Sequence, residues 1–341
     1  MSDNPFVETL EHLKNESKPV KLAYLYNLSN LSSEKMSQFE EMWASLSPAR
    51  RQKILEHLVS ITEDSFEVNF DPIFILAMGD ADADVQTWAV KGLWERETTD
   101  LVPPFLFLLK EGRTPLLRAT AASALGRFVY LGELEEIDAE VQEMVEQALL
   151  ETIRNAREDI EVVRRAIEAI SFSAREGIDS IIETAYYHEN ELMRVSSVFA
   201  MGRHGDAKRW EKIVISELDN LNPAIRFEAA RACGELAIKP AVTRLIRLIG
   251  EEADVEVQLN AIWALGQIGG RKAEDTLTSL TESSDDVVKS VARDALDELT
   301  MFEAAEMMLD FTGDFDDAEA ALWEFEELDD EDDDLSDIHL N

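Results

Sequence analysis

Five histidines and one cysteine are the side chains of this sequence best suited to metal binding or nucleophilic catalysis, and their spacing forms no recognisable site. They are His12, His57, His188, His204, His339 and Cys233. A single cysteine excludes a disulfide framework and a Cys-x-x-Cys metal site. Glycine-rich phosphate loops are absent, and no spacing of Ser, His and Asp resembles a catalytic triad. The sequence therefore predicts no catalytic residue, no metal ligand set and no cofactor.

Recognition of another protein is the chemistry that the sequence favours, because apolar, aromatic and arginine side chains recur at a spacing of 32 residues. The recurring pairs are Val195 and Phe199, Phe227 and Arg231, and Leu259 and Trp263. The members of each pair are four residues apart, so on a helix they share one face. Aromatic residues and arginine supply much of the binding energy at protein interfaces. Together with Arg203, these residues form the predicted partner-binding surface.

One repeated pattern marks the helices that would position these residues. A predicted N-cap residue (Ser, Thr, Asp or Asn) occurs nine times, with spacings of 30, 35, 32, 45, 31, 32, 32 and 31 residues. The predicted caps are Ser17, Ser47, Asp82, Thr114, Asp159, Asn190, Asn222, Asp254 and Asp285. Position three after the cap is apolar in eight of nine repeats, with Arg50 as the exception, and position eleven is apolar or cysteine. Long polar residues at position four would connect neighbouring repeats, and alanine at position ten would allow close helix approach.

Repeats of this length are typical of stacked helix pairs. The segment before each cap has the apolar spacing of a first helix, so the sequence predicts an all-α solenoid of nine helix pairs. The spacing of 45 residues between Thr114 and Asp159 includes extra residues around 129–145. We expect them to form a longer first helix or an outward loop. The alternative is a partner-binding insertion on one rim.

Three segments carry a family resemblance: Leu117–Gly126, Ile225–Gly234 and Val257–Gly266. They resemble HEAT repeats of the short bacterial type also found in phycobilisome lyase-type proteins. The resemblance implies a HEAT- or armadillo-like superhelix and says little about function. Some HEAT proteins are di-iron hydroxylases that hold metal through several His-Glu pairs, whereas this sequence has a single pair, His188-Glu189.

The resemblance and the composition together predict that the chain has three parts. We expect divergent HEAT-like pairs over residues 1–69, the HEAT-like solenoid over 70–299, and an acidic C-terminal tail over 300–341, with a capping helix at 301–309. The formal charge is −39. The tail holds 17 acidic residues and no Lys or Arg, which leaves 54 acidic and 32 basic residues, a charge of −22, in residues 1–299.

This charge disfavours nucleic-acid binding, because phosphate recognition needs clustered Lys and Arg. The first residues lack the basic and apolar regions of a signal peptide, and no apolar run is long enough to span a membrane. The sequence therefore predicts a cytoplasmic protein with protein partners.

The C-terminal tail combines aromatic residues with a run of acidic residues. Phe315, Trp323 and Phe325 lie beside the acidic run 329–334 and are predicted to form a docking motif that orders on contact. Such a tail would suit a basic partner protein, or would fold back onto Arg203 and Arg231. The alternative is a solubilising extension.

Nearby arginines extend the predicted binding surface. Arg127, Arg164, Arg165 and Arg203 are expected to be exposed, and would give a basic, aromatic concavity that attracts an acidic, aromatic peptide. The alternative is that the apolar residues are ordinary packing between helices. The predicted function is a non-catalytic scaffold or adaptor that binds a partner or peptide in the concave groove. The alternative function is an accessory subunit or lyase of the phycobilisome (bilin) lyase class.

Overall fold

The structure, a computed structural model, describes residues 4–65 and 67–312, and its helices fall into two compact units. Unit 1 comprises Met1–His204 and unit 2 comprises Gly205–Asn341. The described residues form α-helices and short 3-10 helices and contain no strand. The α-helices of unit 1 are α1 Pro5–Lys14, α2 Leu22–Leu25, α3 Ser33–Ala44, α4 Pro48–Asp64, α5 Asp71–Met78, α6 Ala83–Gly92, α7 Val102–Glu111, α8 Pro115–Glu133, α9 Ala139–Arg154, α10 Ile160–Ile170, α11 Ile178–Tyr186 and α12 Glu191–Arg203. Those of unit 2 are α13 Ala207–Glu217, α14 Pro223–Glu235, α15 Val242–Glu251, α16 Val255–Ile268, α17 Arg271–Leu280 and α18 Asp286–Thr312.

The predicted caps define the second helix of each pair, and eight of the nine are confirmed. In these eight, the cap side chain accepts a hydrogen bond from a backbone N–H group in the first turn. Such a bond stabilises a helix start by about 1 kcal/mol. The all-α solenoid class is confirmed, because within each unit first helices pack on second helices and successive second helices pack on each other.

The ninth cap, Ser17, was wrongly predicted. Its backbone N–H and its hydroxyl donate to Asn15 Oδ1, at 3.3 and 2.6 Å, and α2 begins only at Leu22. Pro19 disfavours helical geometry at the residue before it, so a helix cannot start directly after Ser17. The first pair is consequently short and irregular.

Arg50 explains both this irregular pair and the exception at position three. Its buried guanidinium donates to the backbone carbonyls of Leu13 at 3.1 Å, Lys18 at 2.7 Å, His12 at 3.2 Å and Asn15 at 3.4 Å. These bonds supply donors to the carbonyls of Leu13 and Lys18, and second donors to those of His12 and Asn15, which also accept from backbone N–H groups. Arg50 therefore takes the place of the apolar residue found in the other repeats.

Close approach of neighbouring second helices depends on small residues, as predicted. A Cβ atom at Gly126 would lie 3.0 Å from Ala169 Cα, and one at Gly266 would lie 2.7 Å from the carbonyl oxygen of Ala295. These alanines occupy position ten of the following repeat, and both are buried. The glycine of one second helix therefore packs directly on the backbone of the next.

Gly266→Ala is predicted to destabilise unit 2 by about 1–3 kcal/mol, because the added methyl group would overlap the backbone of α18. Gly250→Ala is the matched control: Gly250 lies in α15 with no atom near its Cβ position, so alanine should stabilise the helix by about 1 kcal/mol. Urea unfolding followed by circular dichroism measures both. Equal stability of the two variants would contradict the packing explanation.

The extra residues between Thr114 and Asp159 lengthen two helices rather than forming a long loop. The second helix α8 continues to Glu133, and α9 extends from Ala139 to Arg154. The predicted longer first helix is thus present as α9, while the extension of α8 was not predicted. It carries Tyr130 and Gly132, and a Cβ atom at Gly132 would lie 2.5 Å from the side chain of Gln142 on α9.

Long polar side chains at position four connect neighbouring repeats at three places. Arg51 pairs with Asp80 at 3.1 Å, Arg118 with Glu158 at 2.6 Å and Arg226 with Glu252 at 2.6 Å. Each carboxylate precedes the next second helix. Gln86 and Gln258 instead donate to carbonyls near the ends of α5 and α15.

The last helix, α18, continues to Thr312, so residues 301–309 extend the second helix of the last pair. Phe315, Trp323 and Phe325 lie outside the described residues. No helix within residues 4–65 and 67–312 has both the length and the apolar character required to cross a bilayer.

Candidate functional site

A groove of about 1240 Å³ crosses the second helices of five consecutive repeats in unit 1. Residues of α4, α6, α8, α10 and α12 line it, and Ala124, Gly126 and Ala169 allow these helices to lie close together. Its aromatic side chains are Trp88, Trp94, Phe105, Phe128, Tyr130, Phe172 and Phe199, of which Phe105 and Phe128 are buried. Its charged side chains are Glu56, Glu63, Lys91, Arg96, Glu97, Arg127, Glu168 and Arg203. We call this site the aromatic groove.

Two rings of the aromatic groove are largely open to solvent. Trp94 and Tyr130 are each 47% exposed. The Tyr130 ring meets Phe172 edge-on, with centroids 5.6 Å apart, and Phe172 and Phe199 are half-buried. Exposed rings beside packed rings give a concave apolar surface whose burial by a partner would be favourable.

Cations lie over several of these rings. Lys91 Nζ is 4.6 Å from the ring centroid of Trp88, and Arg127 Cζ is 5.9 Å from that of Trp94. Arg203 Cζ is 5.6 Å from the centroids of both Phe172 and Phe199. Such contacts contribute about 0.5–1 kcal/mol each at exposed sites. They hold the long basic side chains along the walls of the groove.

The groove lining is electrically balanced, since it has four Glu, one Lys and three Arg. Arg127 Nη1 pairs with Glu97 Oε1 at 3.2 Å, and Arg96 pairs with Asp71 and Asp100 at 3.1 and 3.3 Å. The expected excess of positive charge is therefore not found in the lining.

Arg164, predicted to be exposed, is instead buried. Its guanidinium pairs with Glu161 at 3.0 Å and Glu168 at 3.5 Å, and the Ser196 hydroxyl donates to Glu168. Arg165 also pairs with Glu168, at 2.7 Å; burial alone would lower the pKa of Arg165, but Glu168 and Glu161 raise it above its ordinary value. This buried network fixes Glu168 at the groove wall.

The exposed face of the second helices was assigned incorrectly at position five after the cap. Thr87, Ala119 and Arg164 occupy that position and are all buried. The prediction assumed that only the face towards the first helix is covered. Each second helix also packs against second helices on its flanks, as α8 does against α6 and α10. The groove is lined mainly by residues at position nine and beyond, with Trp88 and Thr120 from position six.

The predicted binding residues of unit 1 lie on α12. Phe199 and Arg203 line the aromatic groove, whereas Val195 is half-buried and is not part of the lining.

The predicted binding residues of unit 2 lie on two neighbouring helices and are all half-buried. Phe227 and Arg231 are on α14, and Leu259 and Trp263 are on α16. Arg231 pairs with Glu235 of its own helix at 2.7 Å. Trp263 lies over Gly234, where a Cβ atom would be 2.7 Å from Cζ3 of the ring. Their role as a binding surface stays a prediction.

The sequence analysis missed the aromatic residues that dominate the groove, although the repeat register contains their signal. Trp94, Tyr130 and Phe172 lie 12 to 16 residues after their caps. These positions continue the helix face that begins at position nine by steps of three or four. Extending the same comparison beyond position nine would have found them.

Cys233 is fully buried in unit 2, and burial raises the pKa of its thiol to about 12. Because the thiolate is the reactive form, we expect no reaction of the native chain with a disulfide reagent at pH 8. In denaturant one thiol per chain should react. Rapid labelling of the native chain would contradict the buried position.

Metal binding has no structural support in the part of the chain described. No three His, Cys, Asp or Glu side chains within residues 4–65 and 67–312 are placed to hold one ion.

Comparisons with known proteins identify the repeat. A family model of HEAT repeats matches residues 211–297. Human deoxyhypusine hydroxylase is 15% identical, with 87% of this chain and 96% of the hydroxylase covered and a TM-score of 0.35. Escherichia coli YibA is 16% identical, with coverage of 82% and 98% and a TM-score of 0.44. Yeast importin-β is 13% identical, with coverage of 90% and 48% and a TM-score of 0.46. No curated protein matches the chain; at these identities the structural likeness concerns the fold alone.

Proposed function

We propose that this chain, which is a HEAT-repeat protein, is a non-catalytic scaffold that binds a segment of another protein in the aromatic groove of unit 1. The observation that carries the proposal is the pair of rings, Trp94 and Tyr130, that stay 47% exposed within a concave site. Large exposed rings in a concave, well-packed surface are typical of interface hot spots.

The size of the groove favours a peptide over a small metabolite. Small-molecule pockets usually have volumes of about 300–1,000 Å³ and enclose their ligand. The aromatic groove is larger, at about 1240 Å³, and runs across five helices. A short extended or helical segment with two or three apolar anchors would fill it.

The residues predicted in unit 2 are proposed as a separate partner-binding surface. Phe227, Arg231, Leu259 and Trp263 offer the same side-chain types on α14 and α16. Their half-buried state leaves part of each side chain for a partner. The acidic tail, with Phe315, Trp323 and Phe325, is proposed as a second recruiting segment. The bilin-lyase alternative has no supporting contact among residues 4–65 and 67–312.

Selection from a phage-displayed library of random 14-residue peptides on the full-length chain tests the proposal. The counter-target is the double variant Trp94→Ala/Tyr130→Ala, which keeps the charge and removes the two exposed rings. We expect a set of peptides that binds the wild-type chain and is lost on the double variant. Recovery of only those peptides that bind both proteins equally would contradict the proposal.

The folding of the double variant Trp94→Ala/Tyr130→Ala is measured directly. Because both side chains are about half exposed, its helical circular dichroism and urea midpoint should stay close to those of the wild-type chain. A second control, Tyr187→Ala, removes a ring that is 73% exposed on the connection between α11 and α12, outside the groove lining. Peptides that depend on the groove should bind this variant as they bind the wild-type chain.

A further inference from the structure

We infer that the segment bound in the aromatic groove carries Arg or Lys beside its apolar anchors. This inference rests on the proposed function and adds the chemistry of the partner. It replaces the acidic, aromatic peptide favoured by the sequence, because the arginines on which that interpretation depended are engaged within the chain.

Among the four basic side chains of the groove, Arg96 and Arg127 already have acidic partners, as does Arg164 behind its wall, and Lys91 and Arg203 lie over aromatic rings. Arg127 pairs with Glu97, Arg96 pairs with Asp71 and Asp100, and the buried Arg164 pairs with Glu161 and Glu168. An acidic ligand would have to displace these carboxylates and would gain little over the existing pairs.

The groove has exposed carboxylates and aromatic rings that can bind a cationic side chain of a ligand. Glu63 is exposed where α4 borders the groove, and the Glu97 side chain is 56% exposed although it pairs with Arg127. Arg127 lies over one face of Trp94, which shows that a guanidinium fits against this ring. The exposed parts of Trp94 and Tyr130 are therefore suited to a second Arg or Lys, held by cation–π contact and by these carboxylates.

Long-range electrostatics also favour a basic ligand. Unit 1 contains 36 Asp and Glu against 20 Lys and Arg, a formal charge of −16, and the whole chain carries −39. The field of such a protein attracts basic segments and repels acidic ones. At physiological salt the screening length is about 8 Å, so the attraction speeds encounter while the groove supplies specificity.

The test uses the composition of the peptides that the selection described above recovers as groove-dependent. We expect them to be enriched in Arg and Lys relative to the starting library and depleted in Asp and Glu. A synthetic peptide of the consensus sequence, with a fluorescent label, is then titrated with the full-length chain in 0.15 M salt. Replacing its Arg and Lys by Gln should weaken binding about tenfold or more, as expected for loss of charge-assisted contacts.

Matched charge variants separate groove contacts from general attraction. Glu63→Gln/Glu97→Gln removes two carboxylates at the groove, and Glu40→Gln/Glu41→Gln removes two exposed carboxylates on α3. The first double variant should weaken binding of the consensus peptide about fivefold or more, and the second by less than about twofold. Equal effects would overturn the inference, because binding would then follow net charge alone.

The outcomes also distinguish this inference from the proposed function. A groove-dependent set that is neutral or acidic overturns the inference and leaves the protein-binding function intact. Absence of any groove-dependent peptide overturns both.

Discussion

Arg50→Met is expected to lower the free energy of unfolding of the N-terminal helix pairs by about 3–5 kcal/mol, because each hydrogen bond made by a charged group contributes about 1.5–3 kcal/mol. The guanidinium of Arg50 donates to four backbone carbonyls, two in the last turn of α1 and two in the connection that follows it. Methionine fills a similar volume but donates no hydrogen bond. The carbonyls of Leu13 and Lys18 would lose this donor, and a buried carbonyl left without a donor costs about 1–3 kcal/mol. Those of His12 and Asn15 would still accept from the backbone N–H groups of Asn15 and Lys18.

Hydrogen exchange of the amides of α1 measures this effect locally. We expect protection of Pro5–Lys14 to fall sharply in Arg50→Met, while the helices of unit 2 keep their protection. Arg113→Met is the control, because exposed Arg113 makes a single bond, to the carbonyl of Ala81 at 3.1 Å. If both variants leave α1 equally protected, Arg50 is not what holds the first pair.

Trp94→Ala is expected to weaken binding of a groove-selected peptide by about 2 kcal/mol, roughly thirtyfold, as for an interface hot spot. The loss follows from the large apolar area of the indole ring and from its contact with Arg127. Tyr130→Ala should have a smaller effect in the same direction, because Phe172 beneath it stays in place. Isothermal titration of each variant, with Tyr187→Ala as control, gives the three affinities. Affinities of Trp94→Ala and Tyr187→Ala that agree with the wild-type value would exclude Trp94 from the binding site.

The repeat architecture was predictable because the second helices of successive repeats must meet the same physical requirements. An N-cap satisfies exposed N–H groups, and residues three and eleven positions later face the first helix. Val85, Leu117 and Leu125, for example, are fully buried, as the pattern requires. These constraints act within one helix pair, so spacing along the sequence reveals them.

The predictions that failed concern contacts between neighbouring helix pairs, or places where the chain departs from the repeat. Ser17 has the right residue type for a cap, but the following Lys18-Pro19 and the bonds from Arg50 keep the chain out of a helix there. The positions of Thr87 and Ala119 are buried by neighbouring second helices, which a single-helix projection omits. Long-range neighbours of this kind leave no periodic signal in one repeat.

The candidate site was predicted in part, since Phe199 and Arg203 line the aromatic groove. The more exposed rings, Trp94 and Tyr130, occur near or beyond the end of the ten-residue α6 and in the extension of α8. They depend on how far each second helix continues, and helix length varies between repeats. The sequence therefore indicated the kind of surface without indicating its centre.

The most direct test of the aromatic groove as the binding site is a photocrosslinking map. A groove-selected peptide that carries a photoreactive benzoyl-phenylalanine is crosslinked to the full-length chain, and the modified residues are identified by mass spectrometry. We predict crosslinks within residues 88–97, 123–130 and 168–172, which contain groove-lining residues of α6, α8 and α10 and of the segments that follow α6 and α10. Crosslinks confined to the first helices, such as α5, α7 and α9, or to residues outside unit 1, would contradict the assignment.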